Sequence, residues 1–223
     1  MSVKLWYDPA SQPCRTVKFV IKTLGIDAEI IPTKAMEDTR TEEFKRDINP
    51  QGFVPVLEDK GQKIYESATM CRYLLDAYKG DESLFPREDL LARAQVDSWL
   101  DYNNTAVRQT GGTAVDEIIA NPMFGAEVPS EEQKKKLLDS YFKDLKHIDT
   151  SLKNSDFLTG DKLTIADVQI YNEITSTSLF LKLTFDDFPN IKSWIDRIGE
   201  NEVIKELNEE LQERLKDFAE AMK

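Results

Sequence analysis

The stretch Asn49-Pro-Gln-Gly-Phe-Val-Pro55-Val-Leu57 places a proline at the head of a strand-forming run. Proline has no N–H to donate to a sheet, so it does not belong inside a buried strand. We therefore predict that the strand begins directly after a cis Val54–Pro55 bond. Such a bond turns the N–H and C=O of Val54 away from the sheet, where they are free to pair with an extended peptide.

A second feature follows this stretch, at Glu66-Ser67, where the pattern predicts the start of a helix. The amino end of a helix attracts a carboxylate, because its first N–H groups and the helix dipole both favour negative charge. Together with the open backbone of Val54, this helix start predicts a place that holds a small anionic peptide.

Composition limits the classes of partner. The chain has 223 residues, enough for one large domain or two small ones, and its 40% hydrophobic and 31% charged residues are typical of a globular protein. Its formal net charge of −12 argues against binding to nucleic acid or to an anionic membrane by bulk electrostatics. An anionic ligand would need a local positive pocket.

Two cysteines, Cys14 and Cys71, lie in different segments without CxxC spacing. They predict no disulfide framework, and we expect a reducing, cytoplasmic environment. The first residues contain no apolar signal-peptide core, and no apolar run approaches the roughly 18 residues of a membrane span. The single histidine, His147, is interpreted as a surface helix residue, and we expect no metal site.

Residues 1–80 show the order β-α-β-α-β-β-α, which predicts one sheet with helices on both faces. The predicted strands are 3–7, 28–31, 55–58 and 63–65. The first helix starts at Ser11 and ends at Gly25, a short helix covers 42–48, and Ser67 is predicted to cap a helix that runs to about Tyr78.

A polar segment, 81–88, is the predicted linker, and 89–223 is predicted to be an all-helical domain. Long helices are expected over 90–109 and 131–153, with interruptions at Gly111-Gly112 and Asn121-Pro122, and a further helix over 191–198. Thr164 and Asp167 form a capping box at another helix start, in which Leu163 can pack on Val168. The tail is an amphipathic helix with apolar positions at helical spacing: Leu207, Leu211, Leu215, Phe218 and Met222.

In these motifs and their order, the chain resembles the cytosolic glutathione transferases. The motifs are Ser11-Gln-Pro-Cys-Arg15, Asn49-Pro with Val54-Pro-Val-Leu57, Glu66-Ser-Ala68 and Leu163-Thr-Ile-Ala-Asp167. The first motif, with Arg93-Ala-Gln-Val-Asp-Ser-Trp99, is most similar to the theta class and its relatives. The resemblance implies a thioredoxin-like N-terminal domain, a helical C-terminal domain, a homodimer and an electrophile cleft between the domains. It also implies that Asp167 is structural.

The resemblance implies that Ser11 is the catalytic residue. Only the thiolate of glutathione attacks an electrophile well, and a donated hydroxyl together with a helix amino end stabilises that anion. The alternatives are that Ser11 only caps its helix, that Tyr7 supplies the hydroxyl, or that Cys14 performs thiol–disulfide chemistry. Cys71 is expected to lie in the core.

The resemblance also implies the residues that bind glutathione. Val54, beside Pro55, would pair its backbone with the cysteine residue of glutathione, and Ser67 with Glu66 would hold the γ-glutamyl carboxylate. The glycyl carboxylate needs a cation, for which Arg40 is the candidate. Two further positions complete the predicted set: Phe53, where many relatives have lysine, and Arg108, which resembles a theta-class residue that faces the active site.

The predicted function is conjugation of reduced glutathione to small hydrophobic electrophiles, by addition or substitution at carbon. Glutathione would be a co-substrate, with no tightly bound cofactor, and neither nucleic acid nor a membrane is an expected partner. Two alternatives stay open: a non-catalytic interaction module, favoured by Phe53 and the acidic surface, and a glutathione-dependent oxidoreductase or peroxidase that uses Cys14 or Ser11. The tail helix from Leu207 either covers the electrophile cleft or packs on the helical domain.

Overall fold

The computed structural model describes residues 2–79 and 82–221, with side chains of the last helix described up to residue 216. Gly80 and Asp81, at the predicted linker, and Met222, in the predicted apolar stripe, lie outside the described residues. The chain divides into two compact units, Met1–Phe85 with Gly199–Lys223 and Pro86–Ile198.

In its described residues, the first unit contains four strands, four helices and a short 3-10 turn at Asp38–Arg40. The elements in chain order are β1 Val3–Tyr7, α1 Gln12–Thr23, β2 Ala28–Pro32, α2 Glu42–Asp47, β3 Val56–Asp59, β4 Gln62–Ile64, α3 Ser67–Ala77 and, from the end of the chain, α10 Glu202–Ala221. The predicted βαβαββα order is confirmed, and each strand boundary differs from the predicted one by at most one residue.

The sheet has the strand order β2-β1-β3-β4, with β1 parallel to β2 and antiparallel to β3. Trp6 pairs with Val56, and Leu57 pairs with Ile64, so the end of β1, the start of β3 and the end of β4 lie side by side. Three connecting segments therefore meet there: 8–11, 54–55 and 65–67. We call this set the common edge.

Helix α1 follows its sequence signals closely. Ser11 is the N-cap residue, Pro13 stands in the first turn, and Gly25 adopts a left-handed φ of 61° after the last turn. Its buried face packs against α3. Because α1 starts directly after the turn that ends β1, this packing holds Ser11 at the common edge.

The start of α3 differs from the prediction. Glu66, with a φ of 65°, is the N-cap residue, and Ser67 is the first residue of the helix rather than its cap. Backbone geometry is the reason, because the positive φ of Glu66 is what turns the chain from β4 into the helix. Ser67 therefore presents its own N–H, as well as its hydroxyl, at the amino end of α3.

The second unit is helical. Its helices are α4 Leu90–Tyr102, α5 Arg108–Val115, α6 Asn121–Met123, α7 Glu131–Ser151, α8 Ile165–Leu181 and α9 Pro189–Gly199, with π-helical segments at Asn103–Val107 and Asp116–Ala120. The structure confirms the capping box of α8. The Asp167 carboxylate accepts the Thr164 N–H at 2.9 Å and the Thr164 hydroxyl at 2.7 Å.

The predicted interruptions at Gly111-Gly112 and Asn121-Pro122 are wrong, because the chain stays helical through both. A Cβ at Gly111 would lie 3.0 Å from Tyr141 Cε2 and 3.2 Å from Thr177, so this glycine permits close helix packing instead of ending a helix. Pro122 stands where the π-helical segment Asp116–Ala120 passes into α6.

The tail helix α10 groups with the sheet and not with residues 86–198, which differs from the predicted helical domain 89–223. Its buried residues Ile204, Leu207 and Leu211 form one face, and α10 packs against α1. Two ion pairs reinforce this packing, Lys18–Glu210 at 2.7 Å and Lys22–Glu206 at 2.6 Å.

None of the helices in the described part of the chain combines the length and apolar character that a membrane crossing requires.

Candidate active site

Ser11 stands where β1 turns into α1. Its N–H donates to the Asp8 carbonyl at 3.0 Å, and its backbone is extended, with φ −82° and ψ 118°. Within the described residues, its side chain makes no capping hydrogen bond to α1. The structure therefore gives no support to the interpretation of Ser11 as a helix cap alone.

Two charged side chains hold the turn before Ser11. The buried Asp8 carboxylate, 1% exposed, accepts the N–H of Ala10 at 3.0 Å and the N–H of Ala35 at 2.9 Å. The buried Arg15 guanidinium donates to the carbonyl of Pro9 at 2.7 Å. A turn fixed from both sides gives the Ser11 hydroxyl a defined position.

The second segment of the common edge contains Val54 and Pro55, and the bond between them is cis, as predicted. Among the described residues, no backbone hydrogen bond uses the N–H or C=O of Val54. Its main chain is thus available to an extended ligand, in the manner of an added strand.

The loop before Val54 is held by its own side chains and by a close approach. The Asn49 side chain donates to the carbonyl of Phe53 at 2.9 Å and accepts the N–H of Gln51 at 3.0 Å. Gly52 has a φ of 71°, and a Cβ there would lie 2.9 Å from the Thr39 carbonyl oxygen. Only glycine fits this position without movement of the chain.

The third segment supplies a positive helix end. Ser67 is half-buried as the first residue of α3, while Glu66 is exposed and its carbonyl accepts the N–H of Met70 at 2.9 Å. The first N–H groups of a helix have no partner within it, and the dipole there favours an anion. The strand register thus brings together Ser11, Val54 and Ser67, which lie up to 56 positions apart in the chain.

The Tyr7 hydroxyl, the alternative to that of Ser11, already has a hydrogen-bond partner in the protein. The Tyr7 side chain is buried, and its hydroxyl donates to Glu210 Oε2 at 2.6 Å. Lys18 Nζ lies 2.7 Å from both oxygens of Glu210 and 4.3 Å from the centre of the Tyr7 ring. Burial, and then the bond and charge of Glu210, raise the pKa of Tyr7. The predicted site missed Glu210 and Lys18, because no local motif marks a contact across 203 residues.

Cys14, the alternative nucleophile, is completely buried and reduced. Burial raises the pKa of its thiol to about 12, although interactions with the Asp8 backbone and the Ser11 side chain offset part of this rise. Burial also raises the pKa of Cys71, which lies in the core as expected. Thiols in this state are poor nucleophiles at neutral pH.

The remaining predicted residues lie outside the common edge or at its border. Arg40 is exposed at the end of the 3-10 turn, with Nη2 3.9 Å from Met36 Sδ, and the Phe53 side chain is 67% exposed. Arg108 belongs to the second unit, where it donates to the buried Glu173 at 2.8 Å. Contacts of these three residues with a ligand stay predictions.

No group of three or more His, Cys, Asp or Glu side chains among the described residues is arranged to hold a metal ion. The polar groups at the common edge are hydroxyls and backbone N–H groups beside helix ends, a donor set that suits an anion. Chemically, this arrangement can bind a peptide with a carboxylate and stabilise negative charge next to Ser11.

Comparison with known proteins agrees with this geometry. The glutathione S-transferase N-terminal domain matches residues 5–82, and the corresponding C-terminal domain matches 116–202. Glutathione S-transferase theta-3 of Mus musculus is 31% identical over 216 residues, covering 96% of this chain and 88% of the relative. Glutathione S-transferase D7 of Anopheles gambiae is 28% identical over 212 residues, covering 94% and 93%.

Among solved structures, the apo form of human glutathione-S-transferase T1-1 superposes with a TM-score of 0.86 and 28% identity, covering 95% of this chain and 88% of that one. The identity to the theta-3 relative extends over almost the whole chain, well beyond the three segments of the common edge. The chain therefore belongs to the glutathione S-transferase family, as a theta-like glutathione transferase.

Proposed function

We propose that this transferase conjugates reduced glutathione to small hydrophobic electrophiles, and that the Ser11 hydroxyl donates the hydrogen bond that stabilises the thiolate. One observation carries the proposal. The hydroxyl of Ser11 is not used to cap α1, and it stands at the same edge as the unpaired backbone of Val54 and the amino end of α3.

In this proposal glutathione lies along the common edge as an added strand. The cysteine residue of glutathione exchanges two main-chain hydrogen bonds with Val54, which Pro55 holds at the start of β3. The γ-glutamyl carboxylate accepts the N–H and hydroxyl of Ser67, where the dipole of α3 favours negative charge. Glu66 borders the same corner and suits the α-amino group of the ligand, which is positively charged.

The chemical step begins with loss of the thiol proton to solvent. A hydrogen bond from Ser11 and the amino end of α1 both favour the anionic sulfur, so they lower the thiol pKa. The sulfur then supplies the electron pair of a new C–S bond. In a substitution the leaving group departs with its own bonding pair, and in an addition the electrophile accepts a proton afterwards.

Arg40 is the proposed cation for the glycyl carboxylate, and Phe53 offers an apolar surface where many relatives have lysine. This exchange removes one charge contact, so we expect weaker binding of glutathione and a higher KM than a lysine would give. Arg108 is also proposed as a contributor to glutathione binding, and its guanidinium pairs with Glu173.

The decisive comparison is Ser11→Ala against Cys14→Ala, assayed with glutathione and an aryl halide. We expect Ser11→Ala to lower kcat/KM about a hundredfold, as the loss of one donor to a developing anion commonly does. The Kd for glutathione, measured by calorimetry, should change little, and the ultraviolet absorbance of the bound thiolate should shift to higher pH. Cys14→Ala should stay active, and the opposite pattern would overturn the proposal.

The same measurements separate the alternatives. Glutathione binding without turnover of any electrophile would identify an interaction module, and disulfide exchange that depends on Cys14 would identify an oxidoreductase. A homodimer is part of the proposal, and light scattering of the purified protein tests it, with a mass near one 25.6 kDa chain as the contradicting result.

A further inference from the structure

The last helix reaches the turn that carries Ser11. Arg214 of α10 places its Nε 3.2 Å from Asp8 Oδ1, and their side chains are only 14% and 1% exposed. Asp8 lies four residues before Gln12, the first residue of α1, and Arg214 lies in the last helix of the chain. No local sequence pattern links the two.

The Asp8 carboxylate accepts three hydrogen bonds, and the Asp8 carbonyl accepts one more within the turn. Its Oδ1 accepts from Ala10 N–H and Arg214, its Oδ2 accepts from Ala35 N–H, and its carbonyl accepts the N–H of Ser11 at 3.0 Å. One carboxylate thus joins the turn, the loop after β2 and the tail helix. Because the Asp8 carbonyl accepts the Ser11 N–H, a movement of Asp8 would also move Ser11.

Arg214 supplies the positive charge that compensates the buried Asp8 carboxylate. A carboxylate taken out of water is costly unless donors and an opposite charge surround it, and removal of one partner leaves the other uncompensated. Without Arg214, Asp8 would keep its two N–H donors and lose its paired cation. We expect the carboxylate to move toward solvent, and Ala10 and Ser11 to move with it.

We propose that Asp8 and Arg214 form a positioning pair that sets the Ser11 hydroxyl against the glutathione sulfur, so that the tail helix tunes the reactivity of the bound thiol. The pair touches neither substrate nor the reacting atoms and acts through Ser11. This inference rests on the proposed function of Ser11 and adds two residues, one of them in α10, that the sequence motifs did not mark.

The Lys22–Glu206 ion pair of α10 does not share this role. Lys22–Glu206 joins α10 to the last turn of α1, with side chains 35% and 54% exposed. An exposed pair of this kind contributes little. Glu206→Gln is therefore the control, because it removes an ion pair between α10 and the last turn of α1, away from the common edge.

The test uses the full chain with Arg214→Met, Arg214→Lys, Asp8→Asn and the control Glu206→Gln. The readouts are the pKa of bound glutathione, from thiolate absorbance against pH, and kcat and KM for glutathione. We expect Arg214→Met to lower kcat about tenfold with a raised thiol pKa and little change in KM, since one pKa unit corresponds to a tenfold change. Arg214→Lys should recover part of the loss, and Glu206→Gln should match the parent protein.

A double variant identifies the route of the effect. If the pair acts through Ser11, Arg214→Met adds nothing to Ser11→Ala, whereas independent effects would multiply. Lower stability with an unchanged thiol pKa and kcat in Arg214→Met would overturn the positioning role. If Ser11→Ala itself leaves the thiol pKa unchanged, the proposed function fails instead. Should Asp8→Asn not fold, the Arg214 variants decide alone.

Discussion

The hydroxyl of Tyr7 donates to Glu210 Oε2 at 2.6 Å, and Lys18 binds the same carboxylate. A tyrosine near the end of β1 is thereby engaged by the last helix of the chain. Its hydroxyl cannot also donate to a ligand sulfur without breaking this bond. The relationship explains why Ser11, only four residues later, is the better candidate for thiolate stabilisation.

Tyr7→Phe should therefore keep kcat/KM within about threefold of the parent value, while Ser11→Ala loses about a hundredfold. Removal of the hydroxyl leaves Glu210 paired with Lys18, so we expect a loss of about 1 kcal/mol in unfolding free energy. Conjugation kinetics and urea unfolding measure the two effects. A large loss of activity in Tyr7→Phe, with glutathione binding intact, would contradict the assignment.

Glu210→Gln should destabilise the packing of α10 on α1. Lys18 loses its charged partner and Tyr7 its strong acceptor, and for these partly buried groups we expect a cost of about 1–2 kcal/mol. Hydrogen exchange of α10 amides, together with urea unfolding, reports the change. Glu209→Gln, at an exposed neighbouring position, is the matched control and should differ little from the parent protein.

Cys14 should resist thiol reagents while the protein is folded. Burial raises its pKa from 9.0 to about 12, which lowers the thiolate fraction at neutral pH about a thousandfold. Labelling with a disulfide reagent should be correspondingly slow and should become fast in urea. Rapid labelling of the native protein at Cys14, located by peptide mass, would show that the thiol is accessible and reactive.

Two variants in the capping box of α8 should lower the free energy of unfolding by different amounts. Thr164→Ala removes one hydrogen bond and should cost about 1 kcal/mol. Asp167→Ala should cost about 3 kcal/mol or more, because the buried donors of Leu158, Thr164 and Trp194 lose their acceptor together. Urea unfolding measures both, with the exposed Asp161→Ala as control; equal costs for the two variants would contradict this arrangement.

Asp59 should make the first unit sensitive to acid. Burial favours its neutral form, but hydrogen bonds from Tyr73 and Tyr78 outweigh this and hold the pKa of Asp59 below its ordinary 3.8. Because the pKa of Asp59 is lower in the folded protein, the unfolded chain binds the proton first as the pH falls. The contribution of Asp59 to stability is therefore full above about pH 4 and is lost as the pH falls further.

The double variant Tyr73→Phe/Tyr78→Phe tests this linkage. Without the two hydroxyls, only the charge and backbone hydrogen bond of Lys60 oppose the effect of burial, so the pKa of Asp59 should rise and its stabilising contribution in acid should shrink. Urea midpoints from about pH 3 to 6 should therefore fall less steeply for the variant than for the parent protein. Parallel curves would show that the tyrosines do not set the pKa of Asp59.

Several local features were readable from sequence because their causes act over a few residues. Proline cannot donate to a ladder, which predicted the cis bond before β3, and Thr164 with Asp167 marked the start of α8. The same local reading failed at Gly111, where it predicted a helix break. There the need for glycine comes from Tyr141 and Thr177 on other helices, and the local pattern contains no information about them.

By itself, then, the sequence determined where the chain turns, caps and begins its strands, since backbone geometry at each point depends on neighbouring residues. Only the tertiary structure decided which distant side chains bind the residues at those turns. Tyr7 binds Glu210, and Asp8 binds Arg214. These pairs form because the apolar face of α10 packs on α1, which places the charged side chains of α10 near the end of β1. Packing of two distant faces selected these partners, and spacing along the chain does not encode such a choice.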